Sequence, residues 1–171
     1  MVARNRTFRA IFLRGNHEDY LLDFVVNPSI IEDWQRFGGL ETLMSYGVVP
    51  PIEKSADAQA RLATAFDQVL PATHRRFFNN LRLSFTCGDF FFVHAGVRPG
   101  IPLTKQRADD LIWIRQEFLL CEDEFSKIIV HGHTPVPEPD IRSNRINIDT
   151  GAYATGRLTC LKLEDDRIEF I

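Results

Sequence analysis

A chain of 171 residues with 44% hydrophobic and 25% charged residues has the balance of one ordinary globular domain, large enough to bury a core. A net charge of -3 gives duplex nucleic acid and anionic membranes no bulk electrostatic reason to bind, and no apolar run reaches a membrane span. Three scattered cysteines, Cys87, Cys121 and Cys160, form no Cys-x-x-Cys pair and read as the reduced thiols of a cytoplasmic protein.

In chain order, Arg4, Arg6, Arg9 and Arg14 form a local basic cluster that reads as a solvated face, not a targeting peptide. Residues 8–14 predict a strand that delivers Gly15-Asn16-His17-Glu18 at its carboxyl edge, where open α/β sheets build their sites. A helix opens from that loop over residues 16–26 and stops at Asn27-Pro28-Ser29. Residues 30–46 carry apolar side chains at helical spacing, with Gly38-Gly39 marking a kink or a break between two short helices. Ser55-Ala56-Asp57 predicts a capped helix to about residue 70, and Pro71 opens a second one through residue 78. Residues 30–70 are moderately polar and show no aromatic cluster that reads as a base-stacking platform. His74 reads as structural.

The character then changes. Residues 82–86 and 89–93 are β-rich runs flanking Cys87-Gly88, the pattern of a tight hairpin, and the second run ends in His94-Ala95-Gly96. Residues 103–120 read as mainly helical. A short buried strand over 127–130 ends in His131-Gly132-His133-Thr134-Pro135, and another over 145–149 ends in Asp149-Thr150-Gly151. Residues 158–163 and 167–171 predict a final hairpin around Asp165-Asp166. The chain has no repeat, low-complexity tract or internal domain boundary.

Strand ends therefore deliver Asn16-His17, then His94, then His131 and His133. Imidazoles and an amide oxygen suit borderline first-row ions such as Mn, Fe or Zn, and suit Ca or Mg poorly. One histidine is commonly a satisfied polar residue. Three such strand-end sites, each with a glycine within two residues of its histidine, are hard to explain as packing. Ile148-Asp149-Thr150-Gly151-Ala152 has the form of an aspartic-protease loop, but those enzymes pair two such aspartates, and the histidine motifs would stay unexplained.

Phe12-Leu13-Arg14-Gly15-Asn16-His17-Glu18, Val93-His94-Ala95-Gly96-Val97 and Val130-His131-Gly132-His133-Thr134-Pro135 resemble the later signature motifs of the phosphoprotein-phosphatase branch of the calcineurin-like metallophosphoesterases. The bacterial serine/threonine phosphatases, and their relatives that hydrolyse diadenosine tetraphosphate, are nearest. The likeness continues through Leu111-Ile112-Trp113-Ile114-Arg115 and Asn147-Ile148-Asp149-Thr150-Gly151-Ala152-Tyr153, and so runs from about residue 8 to the end. It implies an α/β fold, a truncated four-layer α/β-β/α sandwich forming a single domain with a helical insertion at about 27–80.

The resemblance also implies the chemistry. Asn16, His94 and His133 would bind the second of two divalent transition metal ions. His17 resembles the general acid for the leaving group, and Arg115 resembles an arginine that grips phosphate oxygens through paired hydrogen bonds. His131 is implied as substrate-facing or as a support for the ligands. Pro135 stands where other metallophosphoesterases carry a further histidine, which fits the phosphatase branch. The implied activity is phosphate monoester hydrolysis by metal-activated hydroxide, with a serine/threonine protein phosphatase as the main reading. The alternatives are a dinucleoside tetraphosphate hydrolase and a non-catalytic remnant that binds phosphate or a partner protein.

Two acidic motifs of that family, Asp-x-His-Gly and Gly-Asp-x-x-Asp-Arg-Gly, do not occur in these 171 residues. By the family's pattern they supply the first metal's own ligands, the bridging aspartate and the carboxylate that orients His17. The expectation is an N-terminally incomplete domain that holds at most one ion and has impaired activity. An exposed sheet edge beside Ile11-Phe12-Leu13 is then expected to promote association between copies. Phosphoprotein and nucleoside polyphosphate substrates are not separated by these residues.

Overall fold

The computed structural model describes residues 9–164 and 167–171. Arg4, Arg6, the start of the predicted first strand at Phe8 and the Asp165-Asp166 turn lie outside the described residues.

A five-stranded sheet is built from β1 (Ser84–Cys87), β2 (Phe90–Val93), β3 (Ile128–His131), β4 (Asp140–Ile141) and β5 (Arg145–Asn147), in the order β1-β2-β3-β5-β4. β2, β3 and β5 run parallel, whereas β1 and β4 pair antiparallel at the two edges. β2 and the first three residues of β3 are continuous apolar runs because a parallel strand buries both faces, whereas β5 buries Arg145 and Asn147 around Ile146. The predicted β1–β2 hairpin forms, and Gly88 supplies the positive φ of 54° that its tight turn requires. A second, two-stranded sheet joins β6 (Leu161–Glu164) to β7 (Arg167–Phe170).

The helices gather before and between the strands. α1 (Asn16–Phe24) opens straight from the Gly15 loop, followed by α2 (Ile31–Trp34) and α3 (Gly39–Ser45), with a left-handed Gly38 at φ 90° between the last two. α4 (Ala56–Val69) begins where predicted, with Ser55 Oγ accepting the Ala58 amide as its N-terminal cap. α5 (Ala72–Asn79) follows Pro71. Leu21, Phe24, Trp34, Leu43 and Phe66 form one buried cluster from α1 to α4. A second cluster lies on the sheet, where Phe91, Val93 and Ile129 meet Leu111 and Phe118. No helix among the described residues is long and apolar enough to cross a membrane.

One expectation is corrected. The strand predicted for residues 8–14 is not a sheet strand over its described part, residues 9–14. It makes a single parallel bridge, Leu13 to Arg82, through the Arg14 amide to the Arg82 carbonyl at 2.8 Å and the Arg82 amide to the Phe12 carbonyl at 3.0 Å. Both sides of β2 and β3 are already paired, and this segment meets only the approach to β1. Ile11 and Leu13 instead line a cleft of about 660 Å³ with Phe85, Phe92, Leu161 and Leu163. Residues 103–120 are mainly helical, as expected, and divide into a short 3-10 turn, α6 (Ala108–Trp113) and α7 (Gln116–Leu119). Extended backbone at Ile114 and irregular backbone at Arg115 separate the two helices, and so take Arg115 out of the helical run.

Candidate metal centre

Parallel pairing sets the level of the site. Phe92 pairs with Val130 and His131 with Asn147, so the carboxyl ends of β2, β3 and β5 emerge on one edge of the sheet. His94 follows β2 directly, and the Gly132 amide donates to the His94 carbonyl at 2.9 Å, tying the two histidine loops together.

The Gly15 loop reaches that edge from the other side. Glu18 Oε2 accepts the Gly15 amide at 2.8 Å, fixing the turn from which α1 starts. A methyl group on Gly15 would lie 2.9 Å from the His94 ring, so the close approach depends on glycine. His133 sits at φ 66°, the one non-glycine residue with positive φ among those described. Such a conformation costs about 1–3 kcal/mol and persists where the surroundings enforce it, commonly at functional sites.

Three atoms converge as a result. His94 Nε2 lies 2.8 Å from Asn16 Oδ1 and 3.0 Å from His133 Nδ1, and His133 Nδ1 lies 3.2 Å from Asn16 Oδ1. Asn16 and His133 are buried. Burial pushes the His94 pKa below its ordinary value. His133 is pushed down to about 3, first by burial and then by the nearby Arg115, His94 and His17. Both imidazoles are thus neutral at physiological pH, the form that presents a lone pair to a metal. The donor set fits a divalent transition ion: one amide oxygen and two imidazole nitrogens aimed at a common point. No group of three or more His, Cys, Asp or Glu side chains that could hold an ion occurs among the described residues, so Asn16 is essential to this set.

The remaining predicted residues divide. His17 is exposed and close enough for its charge to act on both His94 and His133, and it makes no side-chain hydrogen bond among the described residues. Arg115 is exposed beside the site and donates from its guanidinium to Thr134 Oγ1 at 3.1 Å. His131 does not join the cluster. It is only 1% exposed, its ring lies edge-on to Phe118 at 4.8 Å, and its Nδ1 is 3.1 Å from the Gly132 carbonyl.

Several contributors escaped the sequence analysis. Asn147 Nδ2 donates to the Thr134 carbonyl at 2.9 Å, and the Val136 amide donates to the Asp149 carbonyl at 2.9 Å, so the loop after β5 holds the loop carrying His133. Trp113 stands edge-on to His133 at 6.0 Å. The Asn147 and Trp113 motifs were visible in the sequence, but the direction of their side chains was not.

The bis(5'-nucleosyl)-tetraphosphatase PrpE [asymmetrical] of Anoxybacillus flavithermus is 26% identical, with 90% of this chain and 63% of that protein covered. The protein of the same name from Bacillus mycoides is 27% identical over 90% of this chain and 62% of its own length. The chain thus spans somewhat under two thirds of the curated relatives it matches. A crystal structure of a protein assigned as a diadenosine tetraphosphatase superposes with a TM-score of 0.60 at 17% identity, covering 95% of this chain and 68% of that one, which supports the fold. The family model of the calcineurin-like phosphoesterases matches residues 2–169. With that match across nearly the whole sequence, the chain belongs to the calcineurin-like metallophosphoesterases.

Proposed function

We propose that this site serves the asymmetrical hydrolysis of a dinucleoside tetraphosphate, the alternative to a serine/threonine protein phosphatase. The convergence of Asn16 Oδ1, His94 Nε2 and His133 Nδ1 carries the metal-dependent hydrolase reading. The names of the curated relatives favour the nucleotide substrate over a phosphoprotein.

Asn16, His94 and His133 would hold one ion. When bound, it supplies Lewis acidity toward a phosphoryl oxygen and toward water. The Arg115 guanidinium binds phosphate oxygens and orients the chain of phosphates, with Thr134 Oγ1 steadying its position. Water adds to the phosphorus of an end phosphate, and the bond from that phosphorus to its bridging oxygen breaks, giving a nucleoside monophosphate and a nucleoside triphosphate. His17 supplies a proton to the departing oxygen. His131, buried behind the strand end, supports the loop and does not touch substrate.

Three neutral donors leave the charge of an ion uncompensated, and the two acidic motifs of the family do not occur in these 171 residues. Full turnover therefore requires carboxylates beyond those present here. The test is diadenosine tetraphosphate hydrolysis with Mn, Fe or Zn, by the chain alone and by a chimera to which a segment with both acidic motifs has been added. The expected result is trace activity in the first and release of ATP with AMP in the second. In the chimera, His17→Asn should lower kcat by about 10²–10⁴-fold. A chimera inert with all three metals would favour the non-catalytic reading. Preference for a phosphopeptide would restore the protein phosphatase.

A further inference from the structure

Beside the metal donors stands an ordered series of aromatic rings drawn from separate parts of the chain. Trp34 is fully buried in the helical core, and Tyr20 lies roughly parallel to it, with ring centres 6.4 Å apart and planes at 26°. Phe37 continues the series on Tyr20 at 6.2 Å and 18°. Trp113 meets Tyr20 edge-on at 4.8 Å and also stands edge-on to His133. The stack is therefore connected through Trp113 to a metal donor. Its inner end is pinned, because a methyl group on Gly39 would lie 2.7 Å from the Trp34 ring.

Its outer end is not covered in the same way. Phe37 is 47% exposed, although it belongs to a layered stack whose other end is core. Offset parallel aromatic layers accept a further planar ring favourably, and an apolar solvent-facing surface does so without loss of polar contacts. Positive charge is at hand: the Arg36 side chain, next in sequence to Phe37, is 72% exposed and 3.6 Å from Asp33, and the exposed Arg115 is close enough to His133 for its charge to act there. A planar ring joined to a chain of phosphates matches that layout.

We propose that Phe37, backed by Tyr20, is the docking surface for one nucleobase of a dinucleoside polyphosphate whose phosphates reach Arg115 and the metal donors. This rests on the function proposed above and adds the residues that would recognise a nucleoside. Because every base presents a π-face, the contact should select for the presence of a base and discriminate little between adenine and guanine.

The experiment is calorimetric binding to the 171-residue chain in Mn-containing buffer, comparing diadenosine tetraphosphate with inorganic tripolyphosphate, which carries charge but no base. The dinucleotide should bind more tightly by on the order of tenfold. Phe37→Leu, which keeps apolar bulk against Tyr20, should remove most of that advantage and leave tripolyphosphate binding unchanged. Phe37→Trp should retain it, and the thermal midpoint of each variant reports whether the fold survives. An unchanged ratio in Phe37→Leu, or equal affinities in the unaltered chain, would overturn the docking surface while leaving the hydrolase reading intact. Failure of both ligands to bind would overturn the two together.

Discussion

His94 Nε2 and His133 Nδ1 stand 3.0 Å apart, although 39 positions separate them in the chain. Two neutral imidazole nitrogens at that distance, with Asn16 Oδ1 against both, are satisfied by one shared proton or by one cation at their common point. The fixed direction of these lone pairs makes the cluster testable as a metal site.

The isolated chain should bind about one transition ion, weakly, since the set holds three neutral ligands. Cobalt titration followed by visible absorption should report this stoichiometry, and His133→Ala should abolish it. An accompanying rise in thermal midpoint with added ion should also disappear in that variant. Two tightly held ions per chain would contradict the assignment.

Gly15→Ala separates crowding from backbone strain. Gly15 has φ -102°, which alanine adopts readily, so its added methyl acts only through the 2.9 Å contact with the His94 ring. A loss of about 1–3 kcal/mol in urea denaturation is expected, together with weaker ion binding. Gly88→Ala is the contrast: it meets open space but sits at φ 54°, so it should cost about 1 kcal/mol and leave ion binding unchanged.

Arg145 should matter for phosphate binding without touching phosphate. It is 2% exposed, lies 5.7 Å from the Phe118 ring centre, and donates to the Leu119 carbonyl and, at 2.9 Å, to the Cys121 carbonyl. These bonds hold the end of α7, whose start adjoins Arg115. Arg145→Ala removes the donor to the Leu119 carbonyl and one of two donors to the Cys121 carbonyl, where Asn144 Nδ2 remains, and should cost about 1–3 kcal/mol. Arg145→Lys, with one compact ammonium in place of a planar fork, should recover only part of it. Tripolyphosphate affinity, measured well below each variant's midpoint, should fall in the same order.

Acid should weaken the fold through buried imidazoles. Burial holds His131 down to about 4. Its unfolded value is about 6.5, so its contribution is fully present above pH 6.5 and lost as pH falls toward 4. The linked loss is at most roughly 3 kcal/mol. Urea midpoints measured between pH 7 and 4.5 should decline, and His131→Gln should flatten part of the decline. An identical slope in the variant would show that other groups carry it.

Much of this protein is local and was therefore legible. The β1–β2 hairpin follows from apolar runs flanking Gly88, and α4 begins at the Ser55 cap, because turns and caps are decided by residues within a few positions of one another. The strand-end placement of His94 and His131-Gly132-His133 was equally readable, since parallel strands announce themselves as continuous apolar runs.

Tertiary structure decided what depended on distant partners. Residues 9–14 look like a strand, but they meet the sheet through one bridge at Arg82, before β1 begins, and do not run along β1's outer edge. His131 and His133 are equivalent in composition. His131, the last residue of β3, packs its ring onto Phe118, and the left-handed backbone of His133 sends the other ring to Asn16 and His94. Residues 30–70 showed no base-stacking platform, because the aromatic stack joins Tyr20 of α1, Trp34 and Phe37 of the next segment, and Trp113 of α6. Residue type and short-range periodicity fix which elements form. The direction of a side chain across elements is set by sheet order and packing, and those exist only once the chain has folded.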